Sequence, residues 1–159
     1  MLIDEYFEYQ LNFEKKYGTE TLVLMQVGSF FEFYGVDNKE EKIGNLQFIT
    51  ELLNIQLTRR NKAILENSRS NCLMGGFPTH ALKRFLPLLL NNNYTIILIE
   101  QTTEPPNPKR EITQIFSPGT YIEEINKSDP NFIVSIYLTE HDCYKTGSSV
   151  FMVGLSAND

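Results

Sequence analysis

Two short, almost uninterrupted apolar runs constrain the fold most: TLVLMQV at residues 21–27 and YTIILIEQ at residues 94–101. Runs of this length, bounded by turn residues, are typical of strands that are covered on both faces. Apolar side chains also recur at helical spacing in residues 3–17, 45–54 and 78–92. Because strands and helices alternate irregularly, the sequence predicts an α+β (mixed α/β) fold with helices packed on a mixed β-sheet.

The remaining segments predict how the chain divides. Further strands are expected in FFEFY, IQLTRRNK, CLMGGFP and ITQIFSPGT. At 159 residues, the chain is long enough for one domain and the beginning of another. We expect a first domain over residues 1–125, a linker at 126–130, and the truncated start of a second domain at 131–159, whose two apolar runs predict a β-hairpin.

Charge and cysteine content narrow the class of protein. The net charge of −6 argues against a domain that coats DNA through charge alone, so basic residues would have to gather on one face or other domains supply affinity. Cys72 and Cys143 lie far apart without metal-ligand spacing, which favours reduced thiols in an intracellular protein. The apolar runs are too short to span a bilayer, so no membrane partner is expected and the compartment stays open.

The stretch VGSFFEFYGVD places one carboxylate among aromatic rings. In a strand, Phe30, Glu32 and Tyr34 share one face, whereas Phe31 and Phe33 share the other and have enough apolar neighbours to be buried. Phe30 and Glu32 would then stand roughly 7 Å apart. On an open face, the ring could wedge between base steps while the acid reaches a base edge. Alternatively, Phe30 packs under a loop and Glu32 is only solvated.

Five blocks in order carry a resemblance: GSFFEFY, LLNIQLTRR, MGGFPTHAL, ILIEQT and IFSPGT. Over residues 6–125 the chain resembles the N-terminal mismatch-recognition domain of the DNA mismatch-repair MutS family, and the closing hairpin is similar to the opening of the family's connector domain. The sequence is rich in Asn and Ile, and in this it is similar to the branch of the family found in giant viruses and octocoral mitochondria. The resemblance implies that Phe30 is inserted at a mispaired or unpaired base of kinked duplex DNA, from the minor-groove side, and that Glu32 hydrogen-bonds that base.

The resemblance also implies supporting contacts to the DNA backbone or groove, from Arg59, Arg60, Met74, Gly75, Gly76, Pro78, Lys109 and Arg110. For the basic residues, plain solvation is the alternative. The glycines would let the backbone approach the groove. Gln26 stands where the family often has a basic residue, which puts one phosphate contact in doubt, and His80 is interpreted as structural.

No GxxxxGK[ST] phosphate loop occurs in the sequence, so we expect no enzyme activity, catalytic residue, metal or cofactor in this chain. For the full-length protein the resemblance implies an ATPase that uses ATP and Mg²⁺, acts as a dimer, binds double-stranded DNA with mismatches or small loops, and works with a MutL-type protein. Two alternatives stay open. One is a protein-interaction domain without a DNA role. The other is a small α/β nuclease or hydrolase using Glu32, Asp37 and His80, although carboxylate pairs and a GxSxG elbow are missing.

Overall fold

The computed structural model describes residues 2–104, 106–121, 133–143 and 148–158. The chain divides into two compact units, Met1–Pro118 and Gly119–Asp159. The predicted linker at 126–130 lies outside the described residues, so the predicted domain boundaries stay a prediction.

The first unit contains three helices and a seven-stranded sheet. Its elements, in chain order, are α1 (Leu2–Tyr17), β1 (Thr21–Val27), β2 (Phe30–Asp37), β3 (Lys42–Ile43), α2 (Leu46–Leu53), β4 (Thr58–Arg59), β5 (Leu73–Pro78), a 3-10 turn (Thr79–Ala81), α3 (Leu82–Asn91), β6 (Thr95–Gln101) and β7 (Arg110–Phe116). The sheet order is β4-β5-β2-β1-β6-β7, and β3 pairs with β2. Strands β1 and β6 are parallel and the other pairs antiparallel, which confirms the predicted mixed sheet with helices.

Aromatic rings form much of the core on the sheet face that meets α2 and α3. Phe31 and Phe33 of β2 are buried, as their alternation predicts. The Phe31 ring lies 6.1 Å from that of Phe77 in β5, which in turn lies 4.8 Å from Phe85 of α3. This chain of rings ties the sheet to α3.

Helix α1 completes the sheet where β1 and β2 separate. The two strands pair only between Met25–Val27 and Phe30–Glu32. Further along β1, the Val23 N–H donates to Gln10 Oε1 at 2.9 Å, and Gln10 Nε2 donates to the Thr21 carbonyl at 2.7 Å. Tyr6 donates its hydroxyl to the Val23 carbonyl at 3.1 Å. Side chains of α1 therefore satisfy backbone groups that a neighbouring strand would otherwise pair.

Two predicted elements have different boundaries in the structure. The strand predicted in IQLTRRNK is reduced to Thr58–Arg59, because the loop after it is held by the side chain of Asn71, which bonds Asn61 N–H at 2.8 Å and the Glu66 carbonyl at 2.9 Å. The helix predicted from Pro78 begins only at Leu82, because Pro78 is the last residue of β5.

The second unit is described as one long hairpin, β8 (Ile133–Cys143) and β9 (Ser148–Asn158). Its predicted hairpin form is confirmed by an unbroken antiparallel register. Cross-strand pairs Ile136–Leu155 and Leu138–Val153 share one face, and all four side chains are exposed. This hairpin presents an apolar face within its own unit.

Candidate nucleic-acid interface

The turn between β1 and β2 presents the first candidate residue. Val27 pairs with Phe30, leaving Gly28 and Ser29 as a two-residue loop. Gly28 has a φ of 60°, while Ser29 is not among the residues of positive φ, which is the type II′ pattern that suits the twist of a hairpin. The tight turn places Phe30 at the very start of β2.

Neighbouring elements hold this turn from two sides. On the β5 side, the Thr79 N–H donates to the Ser29 carbonyl at 2.9 Å. On the other side, Arg110 Nε donates to the Gln26 carbonyl at 2.9 Å, and the Gln101 N–H donates to Gln26 Oε1 at 3.0 Å. These bonds join the turn to both of its flanking strands in the sheet.

The Gln101 amide adds to the same network. In the orientation that satisfies its neighbours, its oxygen accepts from the Gly28 N–H at 3.3 Å and from Arg110 Nη2 at 3.1 Å. Gln26, the departure from the family pattern, is therefore the centre of a network that fixes the turn. No local pattern in the sequence encodes these bonds, since they join residues more than seventy positions apart.

Phe30 is exposed although it belongs to the sheet. Its side chain is 44% exposed, against 2% for Phe31 and 0% for Phe33. Its cross-strand partners are Val27 and Pro78, both half-buried. The ring therefore contributes little to the core, and the structure does not bury it under a loop.

Glu32 lies one step further along the same face. Its cross-strand partners are Met25, which is buried, and Gly76. A Cβ on Gly76 would come within 3.4 Å of Glu32 Cγ and 2.9 Å of the Phe31 carbonyl oxygen. The glycine thus leaves the carboxylate uncovered on its β5 side, and Glu32 is half-buried.

Tyr34 is the next residue on this face of β2, at the point where α1 covers the sheet. Its hydroxyl donates to Glu32 Oε2, and Tyr34 is 4% exposed, with its ring centroid 4.9 Å from that of Tyr6 and the two ring planes at 81°. Burial, and then the hydrogen bond to Glu32, raise the pKa of Tyr34 far above its ordinary value, so the hydroxyl stays a donor. The strand alternation predicted that Tyr34 shares this face, but nothing in the sequence indicated that α1 covers it.

Three of the supporting candidates lie directly opposite this face of β2. Pro78, Gly76 and Met74 pair in turn with Phe30, Glu32 and Tyr34. Gly75 points to the opposite face, where an added Cβ would meet the Phe33 ring at 2.7 Å. The structure therefore gives Gly75 a packing reason of its own.

The basic candidates are in different surroundings. Arg59 pairs with Leu73 on the other face, and its Nη1 donates to the Leu65 carbonyl. Arg60 and Lys109 are exposed, and neither forms a side-chain hydrogen bond or ion pair to any described residue. Arg110 is half-buried against the Gln26 network. Of the four basic candidates, Arg60 and Lys109 are therefore the two whose side chains bond no described residue.

A groove of about 610 Å³ opens beside the closed end of the face. Tyr34, Met74 and Arg60 line it together with the first turn of α1 and Arg69. Arg69 Nε bonds both carboxylate oxygens of Glu41, at 3.1 and 3.0 Å, which lowers the pKa of Glu41. Arg69 is thus already paired, whereas Arg60 is free to meet a ligand.

The groups on this surface are suited to contacting a ligand. Within the described ranges, no group of three or more His, Cys, Asp or Glu side chains could hold a metal ion. No helix in that part of the chain is both long and apolar enough to cross a membrane. The site presents an exposed ring and an adjacent carboxylate on β2, while Arg60 follows β4 and Lys109 precedes β7, at opposite edges of the sheet.

Comparison with known proteins gives the family. The family model described as MutS domain I matches residues 7–125. A mutS homolog of Acanthamoeba polyphaga mimivirus, named as a DNA mismatch repair protein, is 31% identical over 155 residues, which cover 97% of this chain and 14% of that protein. The DNA mismatch repair protein MutS of Rickettsia felis is 30% identical over 152 residues, covering 88% of this chain and 16% of the relative.

A third relative, MutS of Dehalococcoides mccartyi, is 30% identical over 139 residues, 84% of this chain and 15% of the relative. The chain therefore spans about a seventh of the length of the curated relatives it matches. The chain belongs to the MutS family of DNA mismatch-repair proteins and contains its domain I.

Proposed function

We propose that this chain reads mismatched DNA: Phe30 wedges at a mispaired or unpaired base in kinked duplex DNA, and Glu32 hydrogen-bonds that base. The observation that carries the proposal is the exposure of Phe30, 44%, on a turn held by hydrogen bonds from both sides and next to Glu32 on one face. A rigidly held but exposed ring adds little to the stability of the fold, because it buries little apolar area.

The wedge works as a test of duplex stiffness. Inserting a side chain between base steps unstacks them and kinks the duplex, which costs a few kcal/mol per step. A mispair has already lost part of its stacking and pairing, so the same kink costs less there. A rigid turn under Phe30 sharpens the test, because the DNA rather than the protein must deform.

The flanking residues have assigned roles in this proposal. Arg60 and Lys109 contact phosphates, since their heads are free, and Gly76 lets the groove edge approach Glu32. Met74 and Pro78 border the wedge as its β5 partners. Arg59, Gly75 and Arg110 support the site from beneath, through the Leu65 carbonyl, the Phe33 ring and Gln26 respectively.

The net charge of −6 implies weak binding by this chain alone, because like charge opposes approach to phosphates. We propose that other parts of the full-length protein supply most of the grip, together with an ATPase using ATP and Mg²⁺, a second subunit and a MutL-type partner.

The structure places two of the three residues of the nuclease alternative, Asp37 and His80, far apart. Asp37 ends β2 beside Lys42, at 3.8 Å, whereas His80 lies in the 3-10 turn just after Pro78, the partner of Phe30. The two are therefore at opposite ends of a strand of eight residues, about 20 Å apart along the sheet.

Binding of fluorescent duplexes with and without one mismatch tests the proposal, measured by anisotropy at two salt concentrations. We expect weak, salt-sensitive binding with a modest preference for the mismatch. Phe30→Ala should abolish the preference and leave binding to matched duplex nearly unchanged. Phe48→Ala is the matched control, because Phe48 is similarly exposed, 40%, but lies on α2. Equal loss on both duplexes with Phe30→Ala would count against the wedge.

A further inference from the structure

Tyr34 is the residue that most directly controls the chemistry of Glu32. Its hydroxyl donates to Glu32 Oε2 from two positions further along the same strand face. Among the described residues, Glu32 Oε1 accepts no hydrogen bond, and it is not one of the buried side-chain atoms without a partner. One carboxylate oxygen is therefore occupied from inside the protein, and the other is open to solvent.

Tyr34 itself has little freedom to move. It is 4% exposed, and its ring packs against that of Tyr6 with 4.9 Å between the ring centroids. The donor to Glu32 thus belongs to the packed end of β2, while the carboxylate that it holds belongs to the open end.

Such a bond restricts the carboxylate side chain to few rotamers, so less entropy is lost when a base is contacted.

We propose that Tyr34 is a positioning residue for base recognition: it fixes Glu32 through Oε2, so that Oε1 addresses the mispaired base. The inference rests on the proposed function and adds to it the residue that orients the base-contacting carboxylate.

The test compares the 159-residue chain with Tyr34→Phe, Glu32→Ala and the double variant, using anisotropy on matched and mismatched duplexes. Tyr34→Phe should lower the mismatch-to-match ratio about two- to fivefold, the size expected for one hydrogen bond, to the level of Glu32→Ala. The double variant should lose nothing more, since Tyr34 acts through Glu32.

Tyr6→Phe is the matched control. It removes another buried hydroxyl next to the same rings, but one that bonds Gln10 and the Val23 carbonyl rather than Glu32. We expect it to lower thermal stability as Tyr34→Phe does and to leave the mismatch-to-match ratio unchanged.

The outcomes separate the two proposals. If Glu32→Ala lowers the ratio but Tyr34→Phe does not, or if their effects add in the double variant, the role of Tyr34 is overturned and the wedge stands. If Tyr6→Phe lowers the ratio equally, Tyr34 matters only for stability and the inference is overturned. If the unmodified chain binds matched and mismatched duplexes equally, the proposed function fails and this inference with it.

Discussion

The two ends of strand β2 share one sequence pattern and have opposite surroundings. At the first end, Phe30 is 44% exposed, and Glu32 is half-buried. At the second end, on the same face, Tyr34 is 4% exposed and Val36 0%. The difference is made by α1, whose Tyr6 packs on Tyr34. Alternation sets which face a side chain joins, but a distant element decides whether that face is open.

The comparison also separates two uses of aromatic residues. Phe31 and Phe33 stabilise the sheet through ring contacts and burial. The backbone of Phe30, in contrast, belongs to a turn held by hydrogen bonds, and its ring is exposed. Stability and recognition should therefore respond to different substitutions within one short segment.

The largest effect should come from the buried face. Phe33→Ala should lower the free energy of unfolding by about 3–5 kcal/mol, because it leaves a cavity beside Gly75 and Thr50. Phe30→Ala should lower it by less than about 0.5 kcal/mol, as for other exposed sites. Urea unfolding monitored by circular dichroism gives both values. Similar losses for the two variants would remove the contrast between the faces.

The closed end should depend on α1. Gln10→Ala should lower the free energy of unfolding by about 2–3 kcal/mol, because the Val23 N–H and the Thr21 carbonyl lose their partner away from water. Gln47→Ala, at an exposed position on α2, is the control and should change it by less than about 0.5 kcal/mol. If Gln10→Ala were as mild as its control, α1 would not be completing the sheet.

Gly75→Ala should cost about 1–3 kcal/mol of stability, since the new methyl would stand 2.7 Å from the Phe33 ring. The measurement is again the urea midpoint. In the double variant with Phe33→Leu the loss should shrink, because the clashing ring is gone. Strictly additive losses would show that the strain lies elsewhere.

The smallest effect at neutral pH concerns the buried hydroxyls. Burial raises the pKa of Tyr6 and Tyr34 in the folded protein above the unfolded value of about 10. Their contribution is therefore fully present below about pH 10 and is lost as pH rises above it, because the unfolded chain releases these protons first. Tyr6→Phe and Tyr34→Phe should each make the alkaline fall in the melting temperature less steep. An unchanged slope in both would contradict their burial.

The sequence was sufficient for the parts of the molecule that depend on local pattern. The apolar runs at 21–27 and 94–101 correctly indicated buried strands, and the alternation in β2 correctly separated Phe31 and Phe33 from Phe30. These features need only the period of a strand and the amount of apolar surface.

Long-range polar contacts were not predictable in the same way. The bonds of Gln10 to β1, of Gln26 to Gln101 and Arg110, and of Tyr34 to Glu32 depend on which elements meet in space. No periodicity encodes them, although the unusual Gln26 marked the right place. The strand predicted in IQLTRRNK was too long, because the side chain of Asn71 organises the loop after β4.

The claim that Phe30 enters the duplex at the mispair is tested most directly by a fluorescent base. A 2-aminopurine placed next to an unpaired base is quenched while stacked, so unstacking by an inserted ring should raise its fluorescence on addition of this chain. The account predicts a rise with the looped duplex, no rise with the matched duplex, and no rise with Phe30→Ala at saturating protein. An equal rise with Phe30→Ala would contradict it.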